Sequence, residues 1–339
     1  MEKVIKVKQK YVGIDLGSSN LIVYQPNKGI IFNEPNIVSY HVTTKKAVAI
    51  GYMALKMLGK EPENVEVCRP VKDGVIASIG MQTLLLKQVL KEKHCKKLLK
   101  GANLVVSVPS QMSEVNVRSV KKLAKDFDVR SVDLQAQSYL TLLGMDSSIT
   151  GSQGNLVVTL GGGCSDITVA SGTRLLISRT CSFSGRKLDE AITRHLRKKH
   201  HLIIGDKTSE YIKMKIGSLE QFPENRLLEV SGRDLITGLP NSVVISTIEI
   251  KQAILPCLSP LVDMITDCLE MTPPEVSADI IESGIVIAGG GSLLGGIREY
   301  LESNLNVAVR VASDSAYAVV NGIRNYIHLR IGAKKEKEK

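Results

Sequence analysis

One pattern occurs twice in this chain and limits the folds available to it. The first copy has a Gly-Ser-Ser turn at residues 17–19, followed by the apolar residues 21–24. The second copy has the apolar residues 157–160, a Gly-Gly-Gly turn at residues 161–163 and the apolar residues 167–170. Each copy predicts a β-hairpin whose tip carries only small side chains. Two such hairpins, about half a chain apart, predict two related domains that face each other.

Helical and strand patterns alternate after each hairpin. Apolar positions recur at helical spacing in four segments, residues 81–93, 114–127, 188–196 and 249–269. Short apolar runs rich in β-branched residues lie between them, at residues 103–108, 228–230 and 285–288. Alternation of this kind in both halves predicts an α/β fold. Residues 333–339 are almost all charged, so we expect a solvated, disordered tail there.

Length and composition describe an ordinary globular chain. Its 339 residues are too many for one typical domain, and 43% of them are hydrophobic. No window has the roughly 18 uninterrupted apolar residues that a membrane span needs. Residues 1–10 alternate Lys with Val and Ile and do not form a secretory signal, so we expect a cytoplasmic location. The six cysteines are scattered without a CxxC pair, so neither zinc nor disulfides are expected.

The net charge of +10 favours an anionic partner. Nucleic acid, an anionic membrane and an acidic protein all fit that charge. Aromatic residues are only 4% of the chain and Trp is absent, so base-stacking surfaces are scarce. The chain has no recognisable nucleic-acid-binding motif. We therefore expect a membrane surface or an acidic protein as partner, and no nucleic acid.

Three glycine-rich turns indicate a phosphate site. They lie at residues 17–19, 161–163 and 289–291. Glycine lets backbone amides approach a ligand closely, and turns of inward-pointing amides bind phosphate. A single turn of this kind is weak evidence, since any tight hairpin needs small residues. Two matching turns, and a third after the apolar residues 285–288, are stronger evidence.

On these motifs the chain resembles the actin superfamily, and within it the MreB-like bacterial actins, over nearly its whole length. Residues 15–20 (DLGSSN) resemble the family's first phosphate loop and residues 161–163 its second. Residues 33–35 (NEP) and 72–77 (KDGVIA) resemble stretches of MreB that actin lacks. Residues 289–294 (GGGSLL) resemble the adenosine motif. The likeness extends to the several MreB copies of wall-less helical bacteria.

The resemblance implies an actin-like (ribonuclease H-like) duplicated fold, with two lobes and four subdomains around a nucleotide cleft. ATP or ADP would lie between the two hairpins, with Mg²⁺ reached by Asp15 directly or through water. Glu210 and Lys213 match the pair that reaches the adenosine, although such a pair is also common on a helix surface. The implied nucleotide-binding residues are Gly17, Ser18, Ser19, Asn20, Gly161, Gly162, Gly163, Cys164, Glu210, Lys213, Gly289, Gly290, Gly291 and Ser292.

The resemblance also implies subdomain boundaries. Subdomain IA would contain residues 1–32, 73–150 and 318–339, and subdomain IB residues 33–72. Subdomain IIA would contain residues 151–183 and 250–317, and subdomain IIB residues 184–249.

Departures from the family pattern fall on the residues that carry hydrolysis. Gln137 stands where MreB has the Glu that positions or activates the attacking water. Thr159 replaces the Asp that begins the second phosphate loop, and Cys164 and Ser165 replace two threonines. A Thr hydroxyl is neutral, and a Cys thiol is a poor hydrogen-bond partner for phosphate. We expect nucleotide binding to persist and ATP hydrolysis to be weak.

A basic loop at residues 93–100 corresponds to the membrane loop of the family. The residues expected at a membrane are Lys96, Lys97, Leu98, Leu99 and Lys100. Each Lys near anionic lipid contributes ~1 kcal/mol of binding free energy. A solvated basic loop without a membrane role is the alternative interpretation.

These observations favour a filament-forming cytoskeletal protein for cell shape or motility. Its partners would be copies of itself, paralogous filament proteins and the inner face of the cell membrane. A small-molecule kinase and a chaperone-type ATPase of the same superfamily are the alternatives. A kinase needs a carboxylate base for its substrate and usually a longer chain, and the chaperones continue into a peptide-binding domain.

Overall fold

The computed structural model describes residues 10–145 and 153–337, and the side chains as far as residue 331. Residues 1–9, which belong to the N-terminal segment that we expect is not a secretory signal, lie outside the described residues. The strands are β1 (Tyr11–Leu16), β2 (Asn20–Gln25), β3 (Gly29–Pro35), β4 (Val38–His41), β5 (Ala47–Ile50), β6 (Val65–Cys68), β7 (Val71–Lys72), β8 (Val75–Ile76), β9 (Asn103–Val108), β10 (Ser131–Ala136), β11 (Gly154–Leu160), β12 (Ser165–Ser171), β13 (Arg174–Cys181), β14 (Leu202–Ile203), β15 (Leu227–Asp234), β16 (Pro240–Ser246), β17 (Ile285–Ala288) and β18 (Val309–Val311). The helices are α1 (Gly51–Met57), α2 (Ile79–Glu92), α3 (Glu114–Lys125), α4 (Gln137–Gly144), α5 (Gly185–His200), α6 (Asp206–Ile216), α7 (Thr247–Ile254), α8 (Ser259–Glu270), α9 (Pro274–Ser283), α10 (Ile297–Leu305) and α11 (Ala318–Lys337).

Two five-stranded sheets of the same topology form the framework of the α/β fold. One has the order β10-β9-β1-β2-β3 and the other the order β13-β12-β11-β17-β18. In each sheet a hairpin (β1–β2 or β11–β12) pairs antiparallel, and its first strand pairs parallel with a later strand (β9 or β17). The duplication predicted from the two hairpins is therefore present in the sheets.

The chain divides into two compact units, each with its own hydrophobic core. Unit 1 contains the chain up to Val108, Met112–Ala136 and the chain from Val319 onward. Unit 2 contains Pro109–Gln111 and Gln137–Ala318. Besides its large sheet, unit 1 has a small sheet of order β5-β4-β6, and unit 2 one of order β14-β15-β16. The subdomain boundaries stay a prediction.

Serine side chains begin four of the helices. Ser78, Ser113, Ser184 and Ser246 precede α2, α3, α5 and α7, and each accepts a hydrogen bond from the backbone N–H three residues later. Such a cap satisfies one of the amides that a helix leaves unpaired at its start and contributes ~1 kcal/mol. The helix starts are therefore encoded locally in the sequence.

The long apolar segment predicted as one helix is divided by proline. Residues 247–270 have the length and hydropathy of a membrane span. In the structure they form α7, a 3-10 turn at Leu255–Leu258 and α8, with Pro256 and Pro260 at the two junctions. Proline removes a backbone donor and clashes with the preceding turn, which explains the interruption. The apolar face of the segment packs into the core of unit 2 through Ile250, Ile254, Leu258, Leu261, Ile265 and Cys268.

The C-terminal tail departs from the expectation of disorder. Helix α11 continues to Lys337, so residues 333–337 are helical, while residues 338–339 lie outside the described part of the chain. Ala, Lys and Glu are all strong helix formers, and an existing helix extends at little cost. A charged composition alone was therefore a poor guide to disorder here.

The two leucines of the basic loop are not exposed, and this corrects the expectation that they meet a membrane. Leu98 and Leu99 are 5% and 2% exposed and belong to the core of unit 1. The loop is ordered by backbone hydrogen bonds, among them Leu98 N–H to the Cys95 carbonyl at 2.7 Å. Lys96, Lys97 and Lys100 are exposed around them. Of the five residues expected at a membrane, only the three lysines are therefore exposed to contact a surface.

Candidate functional site

The first glycine turn lies between β1 and β2 in unit 1 and is tightly closed. A Cβ at Gly17 would lie 2.7 Å from the Asn20 carbonyl oxygen, so no side chain fits there. Ser18 is buried, and its hydroxyl accepts a hydrogen bond from the Gly74 N–H at 2.9 Å. Ser19 and Asn20 are exposed. The turn thus presents backbone and small polar groups to solvent.

Asp15 is the last residue but one of β1, two residues before this turn. Its carboxylate accepts a hydrogen bond from the Ser107 hydroxyl on the neighbouring strand β9. Burial raises the pKa of Asp15 to about 6, although the bond from Ser107 opposes that rise. A nearby cation favours the ionised form of a buried carboxyl. The role of Asp15 at Mg²⁺ stays a prediction.

The second glycine turn lies between β11 and β12 in unit 2 and repeats the first. A Cβ at Gly161 would lie 2.4 Å from the Cys164 carbonyl oxygen, the same three-residue offset as in the first turn. The carbonyls of Gly161 and Gly162 accept hydrogen bonds from the N–H groups of Gly185 and Arg186, at 3.0 and 3.1 Å. Those carbonyls face the start of α5. An anion at the turn would therefore bind to its backbone N–H groups.

The third glycine turn lies against the end of β11. Gly289 has φ +84°, a conformation that suits glycine, and its built Cβ would lie 2.4 Å from the Leu160 carbonyl oxygen. Gly291 is similarly close to Leu160. Around Gly290 no described atom beyond its chain neighbours comes within 4 Å of a built Cβ. Ser292 is buried, and its hydroxyl donates to the Gly289 carbonyl at 2.7 Å, which fixes the turn.

Lys213 of α6 reaches the start of α5 beside the second turn. Its Nζ lies 3.0 Å from the Gly185 carbonyl oxygen and 2.8 Å from Asp189 Oδ1. A Cβ built at Gly185 would lie 3.3 Å from Lys213 Nζ and 3.8 Å from Gly162 Cα. Glu210, one turn earlier on α6, contributes to raising the pKa of Asp189 and so lies within electrostatic reach of it. The structure therefore brings Lys213 and the second and third turns together around the end of β11.

Gln137 and Thr159, which depart from the family pattern, are neutral side chains, although Gln137 also hydrogen-bonds the Asp166 carboxyl. Gln137 begins α4, and its Nε2 lies 3.4 Å from the buried Cys164 Sγ. Thr159 is buried on β11, and its hydroxyl donates to the Thr141 hydroxyl at 2.8 Å. Neither Gln137 nor Thr159 supplies a negative charge. The hydroxyl of Thr159 is already engaged inside unit 2.

Two carboxylates of unit 2, one buried and one half-buried, were not predicted from the sequence. Asp166 is fully buried and accepts hydrogen bonds from the Ser110 N–H, the Ser110 hydroxyl and the Thr180 hydroxyl at 2.7 to 2.8 Å. Asp189 pairs with Lys213. Burial raises the pKa of each carboxyl to about 6, against the hydrogen bonds to Asp166 and the charge of Lys213 beside Asp189. The position of Asp166 just after the second turn was the available signal.

Comparison with known proteins places these motifs in a family. The chain matches the MreB/Mbl protein family over residues 9–334. It is 34% identical to the cell shape-determining protein Mbl of Bacillus subtilis (strain 168) over 313 residues, which is 92% of this chain and 93% of that protein. It is 32% identical to the cell shape-determining protein MreB of Escherichia coli (strain K12) over 316 residues, covering 92% and 91%.

Solved structures agree in fold. The crystal structure of MreB5 of Spiroplasma citri bound to AMPPNP matches with a TM-score of 0.91 and 30% identity, over 98% of this chain and 99% of that chain. The MamK double helical filament matches in fold, with a TM-score of 0.77 and 21% identity over 93% and 97% of the two chains. The α/β fold expected from the resemblance is confirmed as actin-like. By its sequence over nearly its whole length and by its fold, this chain belongs to the MreB/Mbl family.

Proposed function

We propose that this chain binds ATP and ADP and polymerises into cytoskeletal filaments that serve cell shape or motility. The observation that carries the proposal is the grouping around the end of β11, where the second turn, the third turn and Lys213 come together. The amides of the second turn provide the donors that a nucleotide phosphate needs, and the third turn and Lys213 lie beside it, where the resemblance expects the adenosine. The MreB5 structures with AMPPNP and with ADP support this assignment.

Mg²⁺ accompanies the nucleotide in this proposal. The residues present fit the ion, because Asp15 offers a carboxylate two residues before the first glycine turn. A hard cation prefers oxygen ligands and keeps several of its waters when it binds phosphates. Asp15 would hold one of those waters or the ion itself. The bound ion would neutralise phosphate charge and keep Asp15 ionised.

Hydrolysis is weak in this proposal, because Gln137 and Thr159, which replace the two carboxylates expected at these positions, are uncharged. Gln137 can orient a water molecule but cannot accept its proton as a carboxylate would. Thr159 engages Thr141 and replaces a carboxylate that would hold a metal-bound water. Loss of a general base typically lowers a rate by ~10²–10⁴. An orienting Gln retains part of that effect in other nucleotide hydrolases.

Restoring the two carboxylates tests the proposal of weak hydrolysis. The variant Gln137→Glu with Thr159→Asp should release phosphate from ATP at least about tenfold faster than the parent chain, by recovery of part of the ~10²–10⁴ effect of a base. The control is Gln137→Glu with Thr159→Asn, which has similar volume at residue 159 but no second charge. Equal and rapid phosphate release by the parent and the double variant would show that other residues carry hydrolysis.

Polymerisation is tested by pelleting with different nucleotides. The chain should sediment as filaments with ATP and with AMPPNP, because in this proposal binding rather than hydrolysis drives assembly. With ADP it should sediment less. Filaments in the pellet should be visible by electron microscopy, and no sugar phosphorylation should accompany them. Failure to pellet with any nucleotide would contradict the proposed filament.

The proposed location is the inner face of the cell membrane. Lys96, Lys97 and Lys100 are exposed on one loop of a chain whose net charge is +10. Lysines near anionic lipid contribute ~1 kcal/mol each, and repetition of the loop along a filament multiplies the contact. Copies of the chain itself are the first partner, and paralogous filament proteins are the second.

A further inference from the structure

Three potential metal ligands converge at the far end of α5 in unit 2. His195 Nε2 lies 2.8 Å and His200 Nε2 2.6 Å from the same oxygen, Oε1 of Glu249. The three ligand atoms all lie within 4.8 Å of one another. Lys199 Nζ approaches the same Oε1 at 3.2 Å. The cluster is separate from the glycine turns, which α5 meets at its first residues.

Local structure holds these side chains in place. His195 and His200 lie on α5, which ends at His200 and is followed by His201 in the left-handed conformation. Glu249 lies in the first turn of α7, where its N–H donates to the capping Ser246 hydroxyl. The ring nitrogens of His195 and His200 both contact the same Glu249 oxygen, so all three side chains face one point.

We propose that His195, His200 and Glu249 bind a Zn²⁺ ion. Two imidazole nitrogens and one carboxylate oxygen form a ligand set that Zn²⁺ uses, with water in the fourth position. The ligand side chains are 23%, 20% and 11% exposed, which gives an ion and its water access from solvent. Metal–ligand bonds of 2.0–2.2 Å separate tetrahedral ligands by ~3.3 Å, so the present contacts need to open only slightly. No zinc was expected from the sequence, because its cysteines are scattered. The ligands proposed here are two histidines and a glutamate, which that argument did not cover.

The ion would cross-link α5 to α7. Both elements pack in the core of unit 2 through residues such as Ile192 and Ile250. Without metal, each ring donates its Nε2–H to Glu249. Coordination through Nε2 requires that proton to move to Nδ1, which is the tautomer that a zinc-bound histidine has. Lys199 opposes binding, because its ammonium is a competing cation on the same carboxylate oxygen. Removal of that charge should therefore tighten binding.

Calorimetric titration with ZnCl₂, using the full chain without nucleotide, tests the site. The parent chain should bind one Zn²⁺, and the ion should raise the midpoint of thermal unfolding. His195→Gln, His200→Gln and Glu249→Gln should each weaken binding at least about tenfold, which is ~1.4 kcal/mol. Lys199→Met should tighten it. The matched control His201→Asn removes a neighbouring histidine outside the cluster and should bind like the parent, since Asn tolerates the left-handed conformation.

Cobalt distinguishes the site from cysteine binding. Co²⁺ at this cluster should give visible absorption without a thiolate-to-metal charge-transfer band. Circular dichroism of each variant before titration shows whether it is folded. If a histidine variant does not fold, Glu249→Gln still tests the site, because Gln has nearly the same size and shape as Glu. Absence of Zn²⁺ binding by the parent would overturn the proposal. Binding that is unchanged in a folded His195, His200 or Glu249 variant, or a thiolate band with Co²⁺, would also overturn it.

Discussion

At the scale of single residues, Gly290 is the clearest probe of the proposed nucleotide site. A side chain there meets open space, whereas Gly289 has φ +84° and Gly291 is crowded by Leu160. Gly290→Leu should therefore leave the fold intact but place four carbons where the proposed ligand approaches the backbone. We expect ATP affinity to fall at least about tenfold, or ~1.4 kcal/mol. Fluorescence titration with a labelled ATP analogue measures the effect.

Gly80→Leu is the matched control for this prediction. Gly80 also has open space around a built Cβ, but it lies in the first turn of α2 in unit 1. The control should bind nucleotide like the parent chain and unfold at a similar or higher temperature, because Leu favours a helix more than Gly does. Parent-like affinity in the Gly290 variant would argue against the third turn as part of the site.

The sequence predicted the backbone part of the candidate site better than its carboxylates. Glycine at Gly161 or Gly289 is a local signal, because the turn itself requires a residue without Cβ. The role of Asp166 depends on donors from Ser110 and Thr180, which are distant in sequence. Pairing of Lys213 with Asp189 likewise joins two helices. Such partners arise only when the elements have packed.

At the scale of elements, local patterns were most informative for strands. The bounds expected at residues 103–108 and 285–288 match β9 and β17. Helical periodicity at residues 249–269 did not reveal that the helix is interrupted. The apolar spacing continues across Pro256, but the helical backbone hydrogen bonds do not. Leu98 and Leu99 were wrongly predicted to contact a membrane. Their basic neighbours suggested a surface loop, and burial against the core of unit 1 is a tertiary property.

The loop containing these leucines gives a prediction that separates charge from packing. Leu99→Ala should cost about 2–5 kcal/mol of unfolding free energy, because it leaves a cavity around a nearly fully buried side chain. Lys96, Lys97 and Lys100 changed together to Gln should leave unfolding within about 0.5 kcal/mol of the parent, as exposed substitutions usually do. The same triple variant should co-sediment less with vesicles containing anionic lipid. Urea unfolding and vesicle sedimentation measure the two effects.

Salt provides the control for the lysine contribution. Vesicle binding by the parent should weaken as ionic strength rises, because exposed charges are screened over ~8–10 Å. The triple variant should show a smaller dependence on salt. Salt-independent binding, or equal binding by the parent and the triple variant, would place the membrane contact elsewhere on the chain.

At the scale of the whole molecule, the duplicated hairpin was the most informative feature of the sequence. It predicted two related domains, and the two large sheets have the same strand order around β1 and β11. The division into units was less predictable. Pro109–Gln111 belongs to unit 2 although the chain on both sides of it belongs to unit 1. No local pattern marks such an exchange, because it results from hydrogen bonds such as that of Ser110 to Asp166.

Three carboxyls that are buried or partly buried should make the stability of the nucleotide-free chain depend on pH in an unusual direction. Burial raises the pKa of Asp15, Asp166 and Asp189 to about 6, whereas an unfolded Asp titrates near 3.9. Between these values the folded chain binds protons that the unfolded chain does not. The unfolding free energy should therefore rise as pH falls from 7.5 to 5, by roughly 1 kcal/mol for each carboxyl.

A carboxyl whose pKa is lowered in the folded chain, such as that of Asp133, does not cancel this rise in unfolding free energy. Hydrogen bonds from Tyr326, Gln135 and Arg330 outweigh burial and lower the pKa of Asp133, so its contribution is lost only at more acid pH. Urea unfolding at pH 7.5, 6 and 5 measures the trend, and Asp15→Asn should remove about a third of it. Mg-ATP should weaken the trend, because the ion favours ionised Asp15 and thereby removes the contribution of that carboxyl. An unfolding free energy that falls steadily from pH 7.5 to 5 without nucleotide would show that these carboxyls are ionised in the folded chain at little cost.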